Sequence, residues 1–153
     1  RFAMVELALL EEDGLYASPH ELTPGRAAYT VETLEHFARQ QPEVRLHLLL
    51  GADSLAGLPT WRRPLDIARL ARLVILARPG WQVDEVRDEL PAELRNRLWE
   101  GGAAAPPPPH VVHSSVPISA TQIREALGRG EEPPAGCLDP KVLHYVRKYH
   151  LYR

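Results

Sequence analysis

The segment Ile118-Ser-Ala-Thr-Gln-Ile-Arg124 gathers the residue types that hold anions. Ser119 and Gln122 have the Ser-x-x-Gln spacing of a capping box, and Ile118 and Ile123 occupy the two positions of a hydrophobic staple, so a helix start is specified twice over. The free N–H groups and positive dipole end of such a start attract phosphate, and the Ser119 and Thr121 hydroxyls and the Arg124 guanidinium add donors. The same residues also describe a well-capped helix with a solvated arginine, and the pattern alone does not choose between the two. Gly51 and Asp53 follow an apolar run: a glycine there lets main chain approach a ligand, and an acid there is the usual partner of ribose hydroxyls. Asp53 could equally cap a helix beginning near Ser54. Trp61, between Pro59 and the pair Arg62-Arg63, offers a flat face for stacking on a planar ring, or else fills a core. Arg78, before Pro79-Gly80, could meet a phosphate, in competition with Arg62, Arg63, Arg69 and Arg72.

The elements that must position these residues alternate. Residues 1 to 10 are helical in pattern, with Phe2, Val5 and Leu9 spaced to share a face, and 14 to 26 is a connection punctuated by Gly14, Pro19, Pro24 and Gly25. A helix capped by Thr30, with Val31, Leu34, Phe37 and Ala38 as its buried stripe, stops before Pro42. The run from Val44 to Leu50 predicts a strand buried on both faces, then comes a helical turn from Ser54 to Leu58, a break at Pro59-Thr60-Trp61 and a helix from Pro64 to Leu70. A second strand covers Leu73 to Ala77. A helix broken near Pro91 spans Val83 to Trp99, and the Gly, Ala and Pro tract from Gly101 to Pro109 can be neither central strand nor helix. His110 to His113 is a short third strand, and helices follow from Ala120 and from Pro140 to about Tyr149. This alternation predicts an α/β fold: an open, mostly parallel sheet with helices on both faces, its ligands beyond the carboxyl ends of the strands. An amphipathic helix at the very start of such a pattern leads us to expect that the first strand-helix unit is missing.

Composition narrows the functional classes. The 153 residues, 44% hydrophobic and 25% charged, suit a single domain over 1–153, and a net charge of −2 offers no general attraction to nucleic acid or an anionic membrane. No stretch approaches the roughly 20 apolar residues of a membrane span and no signal sequence is evident, so a cytoplasmic location is expected. Cys137 is the only cysteine and has no activating neighbour, and the seven histidines form no metal set, since a strand would point His110 and His113 to opposite faces.

Ile118-Ser-Ala-Thr-x-Ile-Arg124 resembles the C-terminal signature of the nucleotidyltransferases that make adenylylated pyridine dinucleotides. Tyr29-Thr30-x-x-Thr33-Leu34, Gly51-Ala52-Asp53-Ser54, Pro59-Thr60-Trp61, Arg78-Pro79-Gly80 and the stretch from Tyr145 to Arg153 resemble further landmarks of that family, in its order and over nearly the whole chain. The combination is similar to the bacterial nicotinate mononucleotide adenylyltransferases, with their Rossmann-like fold. The resemblance implies that ATP is held by Gly51, Asp53, Ser119, Thr121 and Arg124, with Ser119 and Arg124 catalytic. It implies that nicotinate mononucleotide is held by Thr30, Trp61, Arg62 and Arg78, with Trp61 stacked on the pyridine and the backbone amides of Thr30 and Arg62 reading the carboxylate.

Those roles imply transfer of the adenylyl group of ATP to nicotinate mononucleotide, giving deamido-NAD and pyrophosphate in NAD biosynthesis. Mg2+ is expected only as the companion of ATP, with no metal ligand from the protein. Family members open with a Gly-rich loop and a His-x-x-His type motif that nothing here matches, so the chain by itself is expected to bind nucleotide poorly and turn over slowly or not at all. Two alternatives stay open: adenylylation of nicotinamide mononucleotide or pantetheine phosphate, and a truncated, non-catalytic nucleotide-binding module. Neither nucleic acid nor membrane is an expected partner, and self-association is left open.

Overall fold

The computed structural model describes residues 1–22, 25, 28–100, 107–113 and 119–152. Along the chain these form helix α1 (Phe2–Leu9), α2 (Thr30–Gln40), strand β1 (Leu46–Gly51), α3 (Ala52–Gly57), α4 (Pro64–Leu70), β2 (Ala71–Ala77), α5 (Val83–Glu89), α6 (Ala92–Arg95), β3 (His110–His113), α7 (Ala120–Gly128) and α8 (Pro140–Lys148). Short 3-10 turns occur at His20–Leu22 and Leu58–Thr60, and α6 runs on into a π-helical turn at Asn96–Glu100. The chain divides into two compact units: Glu21–Pro117, and Arg1–His20 together with Ile118–Arg153.

The larger unit is built on a parallel sheet in the order β1-β2-β3. Parallel neighbours require a crossover, which α3 and α4 supply between β1 and β2, and α5 and α6 between β2 and β3. The register pairs Leu50 with Ile75 and Gly51 with Leu76, so Leu48, Leu50, Leu73 and Ile75 share one face. That face enters a core with Val31 and Leu34 of α2, Leu55 of α3, Ile67 of α4 and Val86 of α5. Fully burying side chains such as Leu55, Ile67, Leu73 and Ile75 stabilises the unit by about 1.5–3 kcal/mol each before entropy is counted.

The run around β1 was expected to be buried on both faces, but its burial alternates. Leu49 is 62% exposed and His47 is also exposed, while Leu76 and Val112 of the same sheet face are partly open. An unbroken apolar run says that a strand is hydrophobic, not that both of its faces are covered. His110 and His113 fall on opposite faces of β3, as three-residue spacing on a strand requires.

The smaller unit packs α1, α7 and α8 around Leu127, Val142 and Val146. From α1 it is Met4, Leu7 and Ala8 that pack there, and Val5 is 48% exposed, so the expected Phe2, Val5 and Leu9 face is not the packed one. The helix is apolar nearly all round, and periodicity alone could not select its side. Pro140 takes the first helical position of α8, and Asp139 caps it by accepting from the Lys141 N–H at 2.7 Å.

Candidate active site

In the larger unit, the start of α2 and the loop after the 3-10 turn form the walls of a pocket of about 280 Å³. Tyr29 and Thr30 line one wall, Thr60, Trp61 and Arg62 the other, and Ile67 of α4 also contributes. The sequence dictates the loop locally: Pro59 favours the tight turn, the Thr60 hydroxyl donates to the Gly57 carbonyl at 2.8 Å, and the Trp61 N–H closes the turn on the Leu58 carbonyl at 3.0 Å. Trp61 then turns extended (φ −75°, ψ 158°). Its indole is half-buried, packed against the core on one side while it lines the pocket on the other.

Thr30 was expected to cap α2, but the cap position falls on Tyr29, which makes no side-chain cap bond. Thr30 is instead the first helical residue, where a backbone N–H has no carbonyl within the helix to bind. Neither the Thr30 nor the Arg62 N–H has an acceptor among the described residues, so the two walls each present a free donor. Free donors at a helix start favour an anion.

The arginines near this pocket separate by their partners. Arg62 lies over the Tyr29 ring, 4.5 Å from its centroid, and pairs with Glu32 at 3.5 Å. Arg63 donates to Glu35 at 2.8 Å and to Asp66 at 2.7 Å, while Arg69 donates to Asp66 at 3.2 Å. The bond to Glu35, and then the one to Asp66, hold the Arg63 pKa above its ordinary value. Arg72 donates to the Pro108 carbonyl at 3.1 Å. Arg78, exposed just beyond β2, is the one of the five whose side chain makes no hydrogen bond or ion pair among the described residues.

Gly51 and Asp53 lie at the tip of β1. Gly51 is in ordinary extended backbone (φ −73°, ψ 160°), so its conformation does not require glycine, but the Asp53 carboxylate occupies the space that a β-carbon on Gly51 would take. Asp53 is exposed, has no partner among the described residues, and does not cap α3 by a side-chain bond. The helix-cap reading of Asp53 therefore finds no support, and an open carboxylate remains beyond a strand end.

In the smaller unit, Ser119 caps α7, its hydroxyl accepting from the Gln122 N–H at 3.5 Å. The reciprocal bond of a capping box is absent among the described residues. Ile118 of the expected staple lies outside them, and Ile123 packs into the unit's core. Arg124 donates to the Thr121 hydroxyl at 3.3 Å, which gathers these two exposed side chains on the first turn of α7. Ser119, Thr121 and Arg124 are thus assembled in one unit, and Thr30, Gly51, Asp53, Trp61, Arg62 and Arg78 in the other.

Sequence reasoning gave no role to Tyr29, Glu32 or Glu35. Their spacing of three along α2 was legible, but nothing in the sequence joined them to Arg62 and Arg63, about thirty positions away. No family model matches the sequence. Its fold is similar to that of a nicotinic acid mononucleotide adenylyltransferase of Plasmodium falciparum complexed with APC, with a TM-score of 0.61 and 14% identity over 85% of this chain. At that identity the likeness speaks for the fold, and the chain spans 61% of the Plasmodium chain. Its sequence is 34% identical, over its whole length, to 73% of a probable nicotinate-nucleotide adenylyltransferase of Aeromonas hydrophila. It is 38% identical to 71% of a protein of the same description from Laribacter hongkongensis. With the fold, the ordered landmarks and this full-length similarity together, the chain belongs to the nicotinate-nucleotide adenylyltransferase family.

Proposed function

We propose that the protein transfers the adenylyl group of ATP to nicotinate mononucleotide, releasing pyrophosphate and forming deamido-NAD. The observation that carries this reading is the pocket of Tyr29, Thr30, Trp61 and Arg62, with a half-buried indole and one free backbone donor on each wall. The indole supplies a flat surface for the pyridine ring, and the two N–H groups suit the oxygens of its carboxylate. A carboxamide would turn its own NH2 toward one of those donors and leave it unpaired, so the acid is favoured over the amide. The relatives' description as nicotinate-nucleotide adenylyltransferases agrees with that preference.

The remaining roles follow from charge. The phosphate of the mononucleotide attacks the α-phosphorus of ATP, a P–O bond forms, and the bond to the departing pyrophosphate breaks. Such a transfer needs positioning and neutralisation of charge rather than a protein nucleophile. Arg78 would meet the mononucleotide phosphate, Asp53 would accept from an ATP ribose hydroxyl with Gly51 leaving room for it, and Ser119, Thr121, Arg124 and the start of α7 would hold ATP phosphate oxygens. Mg2+ would arrive with ATP as part of that substrate.

Titration calorimetry of the chain with nicotinate mononucleotide, nicotinamide mononucleotide, pantetheine phosphate and MgATP tests this assignment. Weak heat is expected with ATP and with the acid mononucleotide, and still weaker or no binding of the other two acceptors. Preference for the amide or for pantetheine phosphate would move the protein to another acceptor. Absence of heat with every nucleotide would make it a non-catalytic module.

A further inference from the structure

Arg63 stands in a conformation that its residue type disfavours. Its φ of 54° and ψ of 57° lie in the left-handed region, and it precedes Pro64, where backbone is normally pushed into extended geometry. A non-glycine residue stays there only when its surroundings hold it. The holding groups are the Glu35 carboxylate on α2 and the Asp66 carboxylate on α4, both taking charge-assisted bonds from the Arg63 guanidinium.

The residues of α2 that grip this loop form a single row. Tyr29 and Glu32 engage Arg62, and Glu35 engages Arg63, each three positions after the last, so they follow one ridge at the helix start and along its first turns. Thr30 belongs to the same helix start, and Arg62 immediately precedes Arg63. The spacing of the two free N–H groups is therefore set by how firmly the loop is pinned to α2.

We propose that Arg63 is a positioning residue that fixes the Trp61-Arg62 loop against α2 and thereby sets the selectivity of the pocket for a pyridine carboxylate over the carboxamide. The inference rests on the site reading given above and deepens it. Arg63 touches no substrate in this account, and its effect passes through the Arg62 backbone. Exposed ion pairs contribute little to global stability, so their removal is expected to loosen the loop without unfolding the chain.

Arg63→Gly tests this directly, because glycine accepts the left-handed backbone without strain and removes the side chain that makes both ion pairs. The Trp61 amide, bonded to the Leu58 carbonyl in the same loop, should exchange about tenfold faster with solvent, the ratio of acid to amide mononucleotide affinity should fall about tenfold, and ATP affinity should hold. Glu35→Gln should move both quantities in the same direction by less, and Arg63→Lys should recover part of the ratio, since it keeps the charge and loses the fork. Unchanged Trp61 exchange in Arg63→Gly overturns the pinning, and an unchanged affinity ratio overturns the selectivity role. If the unsubstituted chain already binds acid and amide alike, the site reading fails together with that role, while the exchange measurement still decides whether Arg63 holds the loop.

Discussion

The Asp53 carboxylate lies over Gly51, filling the place where any other residue would carry its β-carbon. Because Gly51 is in common extended backbone, alanine there would be tolerated by the main chain and would act by displacing Asp53. Gly51→Ala is expected to leave the melting temperature nearly unchanged, since Asp53 is exposed and can swing aside, but to weaken ATP binding. If Asp53 accepts from the ATP ribose as proposed, Asp53→Ala removes a hydrogen bond to a charged acceptor, worth about 1.5–3 kcal/mol, and should weaken ATP correspondingly. If Gly51 acts only through Asp53, the double variant will be no worse than Asp53→Ala in calorimetry. Fully additive losses would mean that Gly51 contributes by its own approach to the nucleotide.

Trp61 divides its surface between core and pocket, so a single truncation confuses packing with stacking. Trp61→Leu keeps apolar bulk against the core but removes the flat face. Stacking of a base on an aromatic ring is worth about 1–3 kcal/mol, and this variant should lose that much affinity for nicotinate mononucleotide while ATP affinity stays close to the original. Trp61→Phe should retain most of it. Equal losses for both nucleotides, tracking a fall in melting temperature, would reduce Trp61 to a core residue.

The two capped helices of the smaller unit differ in how closely their caps engage. Asp139 accepts from the Lys141 N–H at 2.7 Å, whereas the Ser119 hydroxyl stands 3.5 Å from the Gln122 N–H, at the outer edge of hydrogen bonding. Replacing a cap by alanine costs about 0.5–2 kcal/mol, and Asp139→Ala is expected toward the upper end with Ser119→Ala toward the lower. Urea melts of the two variants check the order. A larger loss for Ser119→Ala would show that it stabilises the fold more than its geometry indicates, and would weaken its assignment to phosphate binding.

Much of this molecule was legible because two of its strands are short apolar runs closed by glycine or proline: Gly51 at the end of β1 and Pro79-Gly80 after β2 gave the strand tips, and with them Asp53 and Arg78. Local signals also located α4 from Pro64 and α7 from Ser119. What escaped was anything that depends on packing between distant segments. Leu49 reads as core yet is exposed, because an apolar run carries no record of which face is covered. The fork from Arg63 to Glu35 joins residues 28 positions apart, and the left-handed backbone of Arg63 has no signature in a sequence where glycine or asparagine would have announced it.

Arg78 was one of five arginines competing for a phosphate, and partners now distinguish them. Arg63 and Arg69 share Asp66, Arg62 is held by Glu32 and Tyr29, and Arg72 donates to the Pro108 carbonyl. Among the described residues, Arg78 is the one of the five whose side chain has no partner, and it lies beyond the end of a strand. Arg78→Ala should leave stability within about 0.5 kcal/mol, as expected for a surface change that breaks nothing. Its effect should fall on the mononucleotide: a charge-assisted bond to phosphate is worth about 1.5–3 kcal/mol, so affinity should drop by that amount and become less sensitive to salt. Arg69→Ala serves as the matched control, since it gives up only an exposed pair with Asp66 and should leave nucleotide affinity in place. Loss of affinity in Arg69→Ala rather than in Arg78→Ala would transfer the phosphate contact to α4.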